Sequence, residues 1–242
     1  MAQETGAARR TPLNRERVLR AAVDLADRVG IEALSMRGLA QDLGVVPMAL
    51  YKHVANKEQL LDGMVDVLVG EIDPPADGPD WKSAVRRRVL SARRALLGHP
   101  WASRVIETRT SPTPGVLAYL DSVIGMFRAG GLSADLTHHA MHALGSRIWG
   151  FTQELFPAPP ATAADTSDTS EQAAALAALA AHYPHIAEIA AGRPHDGDSV
   201  VGAGCDDAFE FEFALDLLLD GVERLHQRGW TSVDRPQEER TW

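Results

Sequence analysis

A single cysteine, Cys205, stands in a chain of 242 residues. No disulfide can close within it, which fits a reducing compartment. No stretch approaches the roughly 18 uninterrupted apolar residues that a membrane-spanning helix needs, so none is expected. The N-terminus bears Arg and Glu without an apolar segment, so a secretory signal is not expected either, and the expected location is the cytoplasm. Alternating strand patterns and internal repeats of about 20–50 residues are also missing. HExxH, a Gly-rich phosphate loop and a nucleophile motif do not occur. The class these gaps leave is all-α. The length allows one large domain or two small ones, with a substantial core.

Net charge is −9, but it is unevenly spread. Residues 1–60 hold nine Lys/Arg against seven Asp/Glu, giving +2, and the rest holds fifteen against twenty-six, giving −11. An acidic body with a basic end would steer that end toward phosphate. Arg9, Arg10, Arg15 and Arg17 gather within it.

The most informative stretch is 34–57, LSMRGLAQDLGVVPMALYKHVANK. Ser35 is an N-cap type, and Leu39, Ala40 and Leu43 follow at helical spacing. Gly44 suits a left-handed helix end, and Pro47 the first turn of a second helix over 46–53. Leu50 and Val54 would point inward, leaving Met48, Ala49, Tyr51, Lys52 and His53 outside. A short helix, a Gly turn and a second short helix of mixed basic, aromatic and small surface is the helix-turn-helix pattern. Its second helix enters the DNA major groove.

Around this motif the periodicity predicts helices throughout. One covers 13–29, with Val18, Ala21, Ala22, Leu25 and Val29 on its apolar face. Asn56 caps another that runs to about Ile72. PPADGPD at 74–80 breaks the pattern, and the domain boundary is placed there, dividing 1–73 from 74–242. Beyond it come a basic helix over 81–97, a short helix to about Thr108, one over 116–129, and a long one over 133–155 capped by Ser133. The basic helix bears Lys82, Arg86, Arg87, Arg88, Arg93 and Arg94, either as a solvated or paired face or as a further DNA contact. Residues 1–12 and 156–170 lack anything to bury and are expected to be disordered or loop. An Ala-rich helix is expected over 171–191. In the last helix Phe209, Phe211, Phe213, Leu215, Leu217, Leu218, Leu219, Val222 and Leu225 cover nearly the whole circumference, which calls for burial on all sides. Another subunit would cover the side carrying Phe209, Phe213 and Leu217.

The segments LAQDLGV, ALYKHV and NKEQLLD, in this order and spacing, resemble the N-terminal domain of TetR-family (tetracycline-repressor-like) transcriptional regulators over about the first 65 residues. FEFALDLLLDGVERL resembles, less specifically, the last helix of the tetracycline-repressor type of C-terminal domain. The resemblance implies a helix-turn-helix domain followed by a helical ligand-binding and dimerisation domain. It implies a homodimer binding a palindromic DNA operator and released by a small-molecule effector, with no cofactor, no catalysis and no membrane partner. By position, Arg37 is a candidate base contact, and Pro47, Met48 and Ala49 take the base-facing start of the recognition helix. Tyr51, His53 and Lys57 match backbone-contact positions, with Lys52 beside them. Apolar contact with thymine methyls is expected from Pro47 and Ala49. Tyr51 could alternatively be a core aromatic, and Lys57 a solvated helix-start lysine.

His138, His139, Met141 and His142 share the long helix, and the i, i+4 spacing of His138 and His142 could serve a metal. Solvated or packed histidines, pocket-lining groups and a metal-assisted hydrolase all remain open from the residues alone. The resemblance favours a pocket, since His138, Met141, His142 and Gly145 match effector-contacting positions and Glu154 one that reaches in from the partner. The family's magnesium-binding histidine is replaced by Ile106, and other drug contacts by Arg88 and Ala92, so a tetracycline–magnesium ligand is not expected. Trp101, Met126, Phe127 and Trp149 are candidates for apolar lining or, equally, for ordinary core. A DNA-binding dimer without an effector is a further alternative.

Overall fold

In the computed structural model, residues 12–75, 80–150 and 207–234 are described, together with 177, 180–185 and 188. The expected segments at 1–11, 156–170 and most of 171–191 lie outside the described residues. Every regular element among the described residues is helical. None of their helices is long and apolar enough to cross a membrane.

Side-chain caps start most of these helices. α1 spans Arg15–Val29, with the Asn14 side chain accepting from the Arg17 N–H. Its buried face is Val18, Leu19, Ala22, Val23 and Ala26, while Val29 is exposed. The face expected from sequence is therefore rotated. The cause is α4, whose Gly63 lets the helices approach so closely that a Cβ there would lie 2.5 Å from Leu19. That contact pulls Leu19 and Val23 inward and turns Val29 out.

α2 spans Met36–Asp42 and is capped by Ser35, whose Oγ accepts from the Gly38 N–H at 3.1 Å. Gly44 turns the chain at φ 66°, a left-handed conformation that glycine adopts without steric cost. α3, Pro47–Leu50, is only one turn long. The expected helix over 46–53 is thus shorter, its last residues forming tighter turns in which the His53 N–H donates to the Leu50 carbonyl. α4 spans Lys57–Val69, capped by Asn56 through the Gln59 N–H. Gln59 reciprocates by accepting from the Ala55 N–H.

α5 spans Trp81–Gly98 behind the cap Asp80, and α6 spans Ala102–Glu107. α7, Pro114–Ala129, begins two residues earlier than the sequence pattern suggests, because Thr113 caps it and Pro114 takes the first helical position. α8 spans Ala134–Gly150, with Ser133 Oγ accepting from the Leu136 N–H. α9 spans Asp207–Gln227.

α4 is the hub, packing on α1, α5, α6 and α7. The core around it joins Leu39, Leu50, Val54, Leu60 and Met64 to Trp101, Ala102 and Val105. A division at residue 73 falls between α4 and α5, yet the α6 region plants those last three residues in the core of α1–α4. Contacts group the chain into two compact units, 1–141 with 225–242, and 142–224. In the first, the segment after α9 is fastened to the start of α8. The Ser232 N–H and hydroxyl both donate to the Asp135 carboxylate, at 2.6 and 2.9 Å, which holds Asp135 below its usual range. In the second, α9 buries Phe211, Leu215, Leu219 and Val222 and exposes Phe209, Phe213 and Leu217 to 56–58%. The exposed side is the one that the sequence leaves for another subunit to cover. One stripe at i, i+4, i+8 is uncovered.

Candidate nucleic-acid interface and effector face

The one-turn helix α3 is held from below. Leu50 and Val54 are fully buried, and Leu50→Ala would cost about 2–5 kcal/mol by opening a cavity. That anchoring turns Pro47 and Met48 outward, with Met48 71% exposed, and leaves Tyr51 and Lys52 exposed beside them. Tyr51 is therefore not a core aromatic. Ala49 and His53 are half-buried at the flanks, and Arg37 projects from α2 into solvent. The Lys57 Nζ donates to the Leu34 carbonyl at 2.9 Å, so this lysine fastens the start of α4 to the residue before the α2 cap rather than trailing in solvent. The surface combines an apolar tip with cationic and hydrogen-bonding flanks, as reading bases between phosphates requires.

The carboxylates behind this surface are engaged by cations of the body. Arg104 pairs with Glu32, and Arg109 with Glu58 at 2.6 Å and Asp62 at 3.2 Å. Asp66 accepts from the Gly115 N–H at 2.9 Å. His99 lies between Asp27 and Glu71. None of these partnerships had a signal in the sequence, because they join residues 28 to 72 positions apart through the packing around α4.

The basic helix α5 turns Arg88 inward and keeps Arg94 at the surface. Arg88 is buried, donates to the Asp73 and Ile72 carbonyls at the exit of α4, and lies over the Tyr119 ring, 4.9 Å from its centroid. Burial pushes the Tyr119 hydroxyl up to about 12, against the opposing charge of Arg88. Arg94 pairs with Asp73 at 2.5 Å. These two are anchors of the α4 exit.

The effector candidates separate. His138, Met141, His142 and Gly145 share one side of α8, exposed or half-buried in the single chain, while Leu136, Thr137, Ala140 and Leu144 are buried. The His138 ring lies 5.2 Å from His139, which meets Trp230 edge-on at 5.5 Å. Phe127 is fully buried with its ring 5.4 Å from Trp81, and Met126 is half-buried. Of the two readings open for Trp101, lining and core, the structure shows the core. It is packed in the α1–α4 core, and its indole N–H donates to Asp27 at 2.6 Å. Trp149 belongs to α8, with its side chain outside the described residues, as is Glu154 altogether.

Residues 18–64 match the family model of bacterial regulatory proteins, tetR family. Residues 74–226 match the tetracyclin repressor-like C-terminal domain. An HTH-type transcriptional regulator of Saccharopolyspora erythraea is 38% identical over 120 residues, which cover 49% of this chain and 51% of that protein. The chain thus spans about half the length of that relative. The HTH-type transcriptional repressor DrrR1 of Streptomyces coeruleorubidus is 28% identical over 221 residues, 88% of this chain and 78% of that one. Among solved structures, the transcriptional regulator SCO7222 of Streptomyces coelicolor superimposes with a TM-score of 0.67 at 29% identity, covering 89% of this chain and all of that one.

Proposed function

The chain belongs to the TetR family of bacterial regulatory proteins, and from that premise we propose that it is a cytoplasmic homodimeric repressor that binds a palindromic operator and leaves it when a small molecule binds. The observation that carries the reading is the outward Pro47–Met48–Tyr51–Lys52 surface on a one-turn helix pinned by Leu50 and Val54. A pinned helix of that composition offers a rigid shape to the major groove, with thymine methyls as partners for Pro47 and Ala49.

The effector is proposed to contact His138, Met141, His142 and Gly145 on α8. Met126 and Phe127 are candidates for the apolar surroundings, and Trp149 and Glu154 for further contacts. A mainly apolar molecule with a few polar groups suits such a face. Release requires that it bind the DNA-incompetent arrangement of the two reading heads more tightly than the competent one. A coupling of about 1–3 kcal/mol gives a 5- to 150-fold loss of operator affinity, and DNA must weaken the ligand equally.

The test fills the face. Met141→Trp is expected to leave operator binding nearly intact while abolishing release by a ligand found in a thermal-shift screen. A mutant that still responds at unchanged ligand concentration puts the effector elsewhere.

A further inference from the structure

A neutral imidazole carries a proton on only one ring nitrogen, and an ionised carboxylate can only accept. His99 Nδ1 lies 2.9 and 3.0 Å from the two carboxylate oxygens of Asp27, and Nε2 lies 3.0 Å from Glu71 Oε2. Both contacts are hydrogen bonds only when both nitrogens carry protons. The geometry therefore requires an imidazolium. The ring is largely withdrawn from water, with 12% of its side chain exposed. Burial pulls its pKa down, but the hydrogen bonds and charges of Asp27 and Glu71 outweigh that and hold it above 6.5. Trp101 completes the surroundings, its ring 5.8 Å from His99 and its N–H on Asp27.

Position gives this ring its consequence. His99 caps the C-terminus of α5. Asp27 lies on α1, and Glu71 two residues beyond α4. One side chain thus ties the first and last helices of the reading head to the α5–α6 corner. Across the same seam Arg104 and Arg109 hold Glu32, Glu58 and Asp62, but arginine keeps its charge at every pH a protein meets. Among these ties, the one at His99 is the one whose cation can lose its charge by releasing a proton.

We infer that His99 is a proton-operated positioning residue: as imidazolium it holds the reading head in its operator-binding attitude, and loss of the proton loosens the head and weakens DNA binding. This rests on the operator-binding reading above. Because the folded pKa is raised, the tie is complete below about pH 6.5 and is lost as pH rises through the folded value. Operator affinity should be flat on the acid side and fall on the alkaline side, by at most about tenfold per pH unit for one linked proton.

The experiment measures binding to a fluorescein-labelled duplex, selected from random DNA, between pH 6 and 9 at constant ionic strength. It uses the wild type, His99→Gln, Glu71→Gln and His185→Gln, and follows the His99 ring by NMR. The wild-type affinity should fall in step with the His99 titration, and His99→Gln should bind weakly and evenly across that range. Glu71→Gln, a milder change at an exposed carboxylate, should move the midpoint to lower pH. His185→Gln, at an exposed histidine outside the reading head, should leave the midpoint where it is. A His99→Gln protein with the wild-type pH profile, or wild-type affinity that ignores the His99 titration, overturns the inference alone. No binding at any pH would take down the operator reading and this inference with it.

Discussion

Lys57 and Met48 stand a few residues apart and should fail in different ways. Lys57 reaches back to the Leu34 carbonyl, so its charge is held beside the reading surface and its removal also unfastens α4 from α2. Lys57→Ala is therefore expected to weaken binding to all sequences about equally, to reduce the logarithmic salt slope by about 1, and to lower the melting temperature. Met48 is 71% exposed and touches little of its own chain. Met48→Ala should leave stability within about 0.5 kcal/mol and change the base preference instead. Binding titrations on a small set of operator variants, at several salt concentrations, read both. A sequence-selective, salt-neutral Lys57→Ala would mean that the helix face has been assigned the wrong way round. At this scale the sequence was informative where a residue acts locally, as Ser35, Gly44, Pro47 and Asn56 do in caps and turns. It left Trp101 open between pocket lining and core and was silent on its bond to Asp27, because a partner 74 positions away leaves no local pattern.

Among the elements, α9 has the most to explain outside its own chain. Its buried face of Phe211, Leu215, Leu219 and Val222 accounts for four of the nine large apolar residues, and the Phe209–Phe213–Leu217 stripe is exposed, with the two phenylalanine rings stacked 6.4 Å apart. A contiguous apolar stripe of this kind marks an interaction face, and dimerisation is its proposed use. Phe213→Glu should cost little within one chain, where the side chain is exposed. Buried at a subunit interface, the same unpaired charge would cost several kcal/mol. Sedimentation should show the variant as a monomer, with operator affinity lost accordingly. A stable Phe213→Glu dimer would remove α9 from the interface. Among the described residues helix existence was legible from periodicity, but helix phase was not. Val29 was assigned to the buried face of α1 because the apolar pattern permits two registers, and only the close approach at Gly63 selects one. The over-long α3 had a similar cause, since Tyr51 to His53 suit either a helix or successive turns.

For the whole molecule, the division of charge along the sequence acquires a structural meaning. The +2 of residues 1–60 includes Asp27, Glu32 and Glu58, and His99, Arg104 and Arg109 from beyond the boundary meet all three. Each such pair contributes little to stability by itself. Together they set Asp27, Glu32 and Glu58 against cations of the body, while Arg37, Lys52 and Lys57 stand at the reading surface, which favours approach to phosphate. The sequence showed the imbalance but not its partners. Two such heads on a symmetric dimer should read half-sites about one helical turn, roughly 34–36 Å, apart. If each subunit neutralises about four phosphates, the salt slope should be near −7. Selection of bound sequences from random duplex DNA by the purified full chain tests this most directly. The account predicts enrichment of one palindrome with half-sites at that spacing. Recovery of unenriched sequence, or of a single non-palindromic motif, would contradict it.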